Sequence, residues 1–345
     1  MGVEIKLDHY DRILEKTRKK KIPFTAHWEL TYKCNLRCVH CYIADESEKE
    51  ELCFSEIRPI LDALAKQGCL YLVFSGGEIL TRPDFFDIAD YAKIKGFALR
   101  LLTNGTLITA EVADRIKDIS VLSVGMSVYG TNPKIHEAFT RIEGSYAKTI
   151  MAFELLRERG IKTVIKSLLM RKNVEEFEGL KKLAEELGAN FVYDPTIVAK
   201  NNGSKEPLRY RMADDELRDF FYFKMRPPER GPLEISDNDV ICNAGFNILS
   251  ISAYGEVFPC VAIRKKCGDL RKEGLAKIWR SRALSEIRAI RFADLWKCKD
   301  CGLLYYCDRC PGIAELEDGD ILGPSTVACG MAKVRKGVVE GLKNG

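Results

Sequence analysis

The stretch Tyr32–Ile43, YKCNLRCVHCYI, packs three cysteines, Cys34, Cys38 and Cys41, into eight residues, with no fourth soft ligand close enough to finish a tetrahedral site. It directly follows HWELT, residues 27–31, whose aromatic and β-branched content predicts a strand. Structural zinc takes four ligands, usually as two close pairs, and His40 sits where it cannot easily bind together with both neighbours. An iron–sulfur cube bound by three thiolates instead keeps one iron free of protein ligands, and that open iron is what the spacing offers.

Working outward, the chain from about Thr25 to Val198 alternates short β-rich runs with amphipathic helical runs. The strands are AHWELT, LYLVFS, FALRLLT, VLSVGMSV, KTVIKSLLM and ANFVYDPTIV. Val174, Phe177, Leu180, Leu183, Ala184 and Leu187 recur at steps of three and four and share one helical face. A second helix begins at Ser55 as its N-cap, with Pro59 in the first turn. Six β-α units in series predict a parallel sheet with right-handed crossovers, either open or curled into a barrel, but short of the eight units of a complete barrel. Chemistry then belongs at the carboxyl ends of the strands, and the three-cysteine stretch lies there.

The organisation reads as residues 1–24, an N-terminal extension; 25–198, the β-α domain; 199–235, a linker; and 236–345, a second domain. The linker is marked by KNNGSKEP, RPPERGP and a short helix near Phe220–Phe223. From Cys242 to Cys329 the second domain holds eight cysteines within 88 positions. The 345 residues include 54 basic and 50 acidic ones, and the net charge of +4 is too small to imply nucleic-acid or membrane binding. No run of 18 apolar residues appears, and the N-terminus is charged where a signal peptide needs an apolar stretch, so a cytoplasmic location is expected. In that reducing compartment the 13 cysteines read as metal or redox ligands, apart from the isolated Cys53 and Cys69, which fit core or loop positions.

CNLRCVHC resembles the C-x3-C-x2-C element of radical S-adenosylmethionine (SAM) enzymes, in which the open iron is chelated by the amino and carboxylate groups of the cosubstrate. FSGGE resembles that family's glycine-glycine-glutamate turn, which implies that Gly76, Gly77 and Glu78 receive the methionyl ammonium; Ile79 stands where many relatives have proline. The resemblance also implies cosubstrate contacts from Asn104 in TNG, from Ser127 and Lys148 toward the carboxylate, and from Lys166 and Asn173 toward the ribose. His40 and Tyr42 are expected to pack beside the cofactor rather than bind metal. The fold so implied is a partial (β/α)6 TIM-like barrel.

The second cysteine group resembles the SPASM domain, a small irregular cysteine-rich extension of radical SAM peptide-modifying enzymes. Cys242, Gly255 and Cys260 match its C-x(9-15)-G-x4-C element, CKDCGLLYYC matches C-x2-C-x5-C, and the next gap is two residues where three is usual. CGDL and KIW resemble the stretch between the two cysteine groups. By resemblance, Cys242, Cys260 and Cys310 hold one auxiliary cluster, with Cys267 as candidate fourth ligand. If Cys267 is no ligand, that cluster has an open iron. Cys298, Cys301, Cys307 and Cys329 hold the other.

Three [4Fe-4S] clusters and S-adenosylmethionine are therefore the expected cofactors. The resemblance implies a maturase of a ribosomally made precursor peptide, served by a separate leader-binding protein and by a flavodoxin or ferredoxin as electron donor. Relatives that activate sulfatases or decarboxylate tetrapyrroles in an alternative haem pathway share both elements, and a non-enzymatic zinc scaffold is the reading of another class. Asp194 is a possible substrate contact, or simply part of a turn with Pro195.

Overall fold

The computed structural model describes residues 9–44, 49–225 and 235–344. A helix, α1 (His9–Lys20), precedes six parallel strands that lie side by side in chain order. These are β1 (Thr25–Thr31), β2 (Tyr71–Gly76), β3 (Ala98–Thr103), β4 (Ser123–Ser127), β5 (Thr163–Leu168) and β6 (Asn190–Asp194). Between them run α2 (Phe54–Lys66), α3 (Phe85–Ile94), α4 (Ala110–Ile119), α5 (Pro133–Thr140), α6 (Ser145–Glu158) and α7 (Phe177–Leu187).

Strand alternation explains the layers. Ala26, Trp28, Leu72, Phe74, Leu99, Leu101, Val124 and Ile165 point outward into one apolar core with Ile57, Leu61, Ile88, Ile116, Phe153 and Leu180 of the helices. The residues between them, His27, Glu29, Ser75, Arg100, Ser127 and Lys166, therefore face the concave side, which is polar. The result is the partial barrel expected.

Helix α2 starts two residues earlier than Ser55 predicts. Cys53 takes the cap position because the Glu56 carboxylate reaches back to its N–H at 2.9 Å. Pro59 consequently falls in the second turn, on an exposed part of the helix.

The C-terminal region does not form a separate sheet. β7 (Ile248–Ile251) pairs in parallel with the free edge of β1, from Thr25 opposite Ile248 to Trp28 opposite Ile251. β8 (Glu256–Phe258) and β9 (Gly268–Asp269) continue antiparallel, giving the order β6-β5-β4-β3-β2-β1-β7-β8-β9. The turn between β7 and β8 needs Gly255, whose φ is +84° and whose N–H reaches the Ser252 carbonyl at 3.1 Å. α8 (Asp214–Asp219) precedes β7, and α9 (Leu275–Ile278), α10 (Arg282–Ala289), α11 (Pro311–Ile313) and α12 (Thr326–Asn344) follow β9. α12 and α8 close over α7 through Phe177, Phe220, Phe221, Met331 and Val338. Of the linker, residues 226–234, which include RPPERGP, lie outside the described residues, as do residues 1–8 of the N-terminal extension.

Candidate active site

The three-cysteine loop leaves the end of β1 and is held there by backbone. The N–H groups of Gly77 and Glu78 donate to the carbonyls of Thr31 and Lys33 at 2.8 and 2.9 Å. The approach is so close that a Cβ at Gly76 would lie 2.1 Å from the Thr31 oxygen, and one at Gly77 would lie 2.3 Å from the Lys33 oxygen. The glycine pair is thus required by strand-to-strand contact, before any ligand is considered. Farther along, the N–H groups of Arg37 and Val39 donate to Thr140 and Phe139, each at 3.0 Å, and the Cys41 N–H closes a turn on Cys38 at 3.1 Å.

Glu78 is fully buried and already engaged. Its carboxylate accepts from the Leu80 N–H at 3.1 Å, the Thr103 hydroxyl at 2.7 Å and the Asn104 N–H at 2.7 Å. Burial raises its pKa, and these three donors pull the other way. The carboxylate therefore fixes the TNG segment relative to the glycine turn. Asn104 in turn donates to the Asn35 side chain at 2.8 Å and lies 3.9 Å from the Cys34 sulfur. Its carbonyl accepts from the Thr149 hydroxyl at 2.8 Å. Sequence reasoning did not single out Asn35, Thr103 or Thr149, which carry no spacing pattern of their own.

The remaining expected contacts are distributed unevenly. Ser127 ends β4, two residues before the buried Tyr129. Lys166 lies opposite Ser127 in the β4–β5 register, on the concave side, where desolvation lowers its pKa and Asp194 opposes that shift. His40 is buried and meets the Tyr129 ring edge-on at 4.6 Å, with burial lowering its pKa to about 4. Lys148 is exposed on α6, one residue from Thr149. Asn173 departs from expectation. Its side chain is fully buried, donating to the Tyr129 and Leu168 carbonyls at 2.9 and 3.0 Å and accepting from the Met170 N–H at 2.7 Å. With both amide hydrogens spent, it ties the β4 and β5 ends together rather than facing a ribose. Asp194 is exposed and accepts from the Thr196 N–H at 2.7 Å, the turn with Pro195.

In the C-terminal region Cys298, Cys301, Cys307 and Cys329 line one cavity of about 410 Å³, with Arg309. Cys242, Cys260 and Cys310 lie near enough to act on one another electrostatically. Cys267 packs in a different apolar cluster from Cys242 and Cys260. It is buried in the same apolar core as Val257, Leu275, Ile278 and Trp279, its sulfur is 3.3 Å from the Lys265 carbonyl, and the charges acting on it are Lys265 and Arg288. The reason is β9: the Cys267 N–H pairs with the Val257 carbonyl at 2.7 Å and Gly268 pairs with Val257, which turns this residue into the sheet's core. The exposed Cys53 and buried Cys69 occupy a helix cap and the core, as expected of isolated cysteines.

Among the described residues no three His, Cys, Asp or Glu side chains converge tightly enough to share one metal ion. Thiols around zinc would each sit about 2.3 Å from it. Burial raises the Cys38 thiol to about 12 and the Cys260 and Cys307 thiols to about 11, so a bound cation would be needed to hold them as thiolates. Among the described residues, no helix is long and apolar enough to cross a membrane.

Residues 28–184 match the family model of the radical SAM superfamily, and residues 242–302 match that of the SPASM iron-sulfur cluster-binding domain. The AdoMet-dependent heme synthase of Methanosarcina barkeri is 30% identical over 332 residues, 87% of this chain and 94% of that protein. The antilisterial bacteriocin subtilosin biosynthesis protein AlbA of Bacillus subtilis is 29% identical over 309 residues, 84% of this chain and 67% of that protein. In fold, Streptococcus suis SuiB bound to precursor peptide SuiA matches with a TM-score of 0.70 at 16% identity, over 95% of this chain and 82% of that one. With both family models in their expected places around the site, the chain belongs to the radical SAM superfamily as an enzyme carrying a C-terminal SPASM iron–sulfur domain.

Proposed function

We propose that this enzyme reductively cleaves S-adenosylmethionine at Cys34, Cys38 and Cys41 and modifies a ribosomally synthesised peptide, by crosslinking, dehydrogenation or excision. The observation that supports this reading is a cavity of about 350 Å³ at the carboxyl end of β6, lined by Asp194, Thr196 and Val198 and, from the C-terminal region, by Cys310, Met331 and Arg335. The cavity joins the β6 end of the barrel to Cys310, and its volume supports entry of part of a peptide. AlbA, whose name assigns it to bacteriocin biosynthesis, shares both halves of the chain.

A cluster with an open iron supplies, when bound, one electron that splits the cosubstrate into methionine and a 5'-deoxyadenosyl radical able to take hydrogen from an unactivated carbon. The chain's own residues bind, orient and exclude water. Glu78 holds Asn104 against the cluster loop, and His40 with Tyr129 walls off one side with aromatic surface. Ser127 and Lys166 present a hydroxyl and a cation on the concave face, and Lys148 stands exposed in the first turn of α6. Cys242, Cys260 and Cys310 hold one auxiliary cluster and Cys298, Cys301, Cys307 and Cys329 the other. A small leader-binding protein and a flavodoxin or ferredoxin complete the system.

A second reading, decarboxylation of a tetrapyrrole, is favoured by the 94% coverage of the heme synthase. Anaerobic incubation with candidate precursor peptides and with tetrapyrroles, followed by mass measurement, separates the two. The reconstituted enzyme is expected to carry roughly twelve irons, four per cubane. Cys34→Ala, Cys38→Ala and Cys41→Ala together should abolish 5'-deoxyadenosine formation while auxiliary iron remains; undiminished cleavage would refute the assignment.

A further inference from the structure

One carboxylate at the barrel mouth serves both iron-binding regions. Glu29, on β1, has no exposed surface, yet none of the cluster or cosubstrate motifs above includes it. Its Oε2 accepts from the Tyr32 hydroxyl at 2.7 Å and its Oε1 from the Tyr42 hydroxyl at 2.6 Å. Tyr32 stands two residues before Cys34 and Tyr42 directly after Cys41, so the two donors bracket the three-cysteine loop. The third partner comes from the other region: Arg264 Nη1 is 3.5 Å from Glu29 Oε2. Arg264 lies four residues after Cys260, and its side chain, only 15% exposed, is stacked over Phe258 with 4.3 Å to the ring centroid. The Cys260 sulfur accepts from the Ile263 N–H at 3.3 Å, so the segment carrying Arg264 is also the segment that shapes Cys260.

We propose that Glu29 and Arg264 are positioning residues that couple the two iron-binding loops. Through Tyr32 and Tyr42, the buried ion pair sets the geometry of the Cys34–Cys41 loop according to the placement of the Cys260 loop. Removal of one member of a buried ion pair leaves the other charge uncompensated, and loss of a donor leaves the buried carboxylate less well satisfied. A displacement at Arg264 is thereby felt at the first loop, although the sequence separates them by more than 200 positions.

The inference rests on the reading of Cys34, Cys38 and Cys41 as the S-adenosylmethionine site. It is tested on the full reconstituted chain with Glu29→Gln, Arg264→Ala, Arg264→Lys and the double variant Glu29→Gln/Arg264→Ala. The readouts are iron per chain, S-adenosylmethionine affinity, and the electron paramagnetic resonance spectrum of the reduced protein before and after the cosubstrate is added. Arg264→Ala should retain its iron, bind the cosubstrate roughly tenfold more weakly, as expected for one lost buried charged hydrogen bond, and alter the cosubstrate-induced spectral change. Arg264→Lys should recover part of both, and the double variant should be no worse than Glu29→Gln alone. Additive losses, or an Arg264→Ala protein that only melts earlier with affinity and spectrum unchanged, would overturn the coupling. Should Glu29→Gln fail to fold, Tyr42→Phe removes one donor and keeps the ring; an unaltered spectrum there counts equally against it. A wild-type protein that does not bind the cosubstrate overturns the reading of the site itself, whereas binding that is indifferent to Arg264 sinks only the coupling.

Discussion

Gly77→Ala puts the smallest side chain where the structure has no room. The added Cβ would lie 2.3 Å from the Lys33 oxygen, 2.8 Å from the Lys33 carbon and 2.9 Å from the Tyr32 oxygen. All three are backbone atoms, so no rotamer change relieves the clash, and one segment must retreat by about 1 Å to reach ordinary contact. That retreat breaks or lengthens the bonds from Gly77 to Thr31 and from Glu78 to Lys33. Each is worth about 1 kcal/mol net, and the overpacking adds about 1–3 kcal/mol, for a total of roughly 3–5 kcal/mol. Because Lys33 precedes Cys34, the strain should appear as lost iron at the first site and lost S-adenosylmethionine cleavage, beside a lower melting temperature. The control is Gly274→Ala, where an added Cβ meets nothing within 4 Å. Iron content, melting temperature and 5'-deoxyadenosine yield of Gly77→Ala all matching Gly274→Ala would refute the steric argument.

Cys267→Ala should leave iron per chain unchanged and lower stability by about 1 kcal/mol, the loss of one buried sulfur; a deficit near one cubane on iron analysis would show instead that it is a ligand. Acid should destabilise the fold through its buried histidines. Burial lowers His27 and His136 from 6.5 to about 4. The unfolded chain then takes up protons first, so their stabilising contribution is whole above pH 6.5 and disappears as the pH falls toward 4. Each should forfeit about 2 kcal/mol by pH 5. Denaturant melts of His136→Asn should show a shallower dependence between pH 7 and 5, and an identical slope would contradict this.

The cysteine spacing and the β-α rhythm made the barrel and the first loop readable, because both are local patterns: a period in hydrophobicity and a run of ligands. Glu78 was readable as important, but its engagement with Thr103 and Asn104 was not, since those partners are set by the β2–β3 register. Asn173 shows the opposite failure. A polar residue after a strand reads as a ligand contact, and only the packing of Tyr129 and Leu168 around it shows its amide to be consumed. Cys267 read as a ligand because it sits among ligands, whereas the two-residue strand Gly268–Asp269 is too short to announce itself and turns the sulfur inward. β7 was hidden likewise: four residues carry no period, and their partner lies more than 200 positions earlier.

The pairing of β7 with β1 makes the two family regions inseparable as building blocks. Cutting the gene near residue 235 would strip β1 of its neighbour, bare the backbone of Thr25 to Trp28, and leave α1 without the Trp279 indole that donates to the Lys21 carbonyl at 2.6 Å. Chimeras that exchange only the cysteine-rich tail between relatives must therefore transplant a strand register along with the ligands, and a graft made at the linker alone would inherit an open seam.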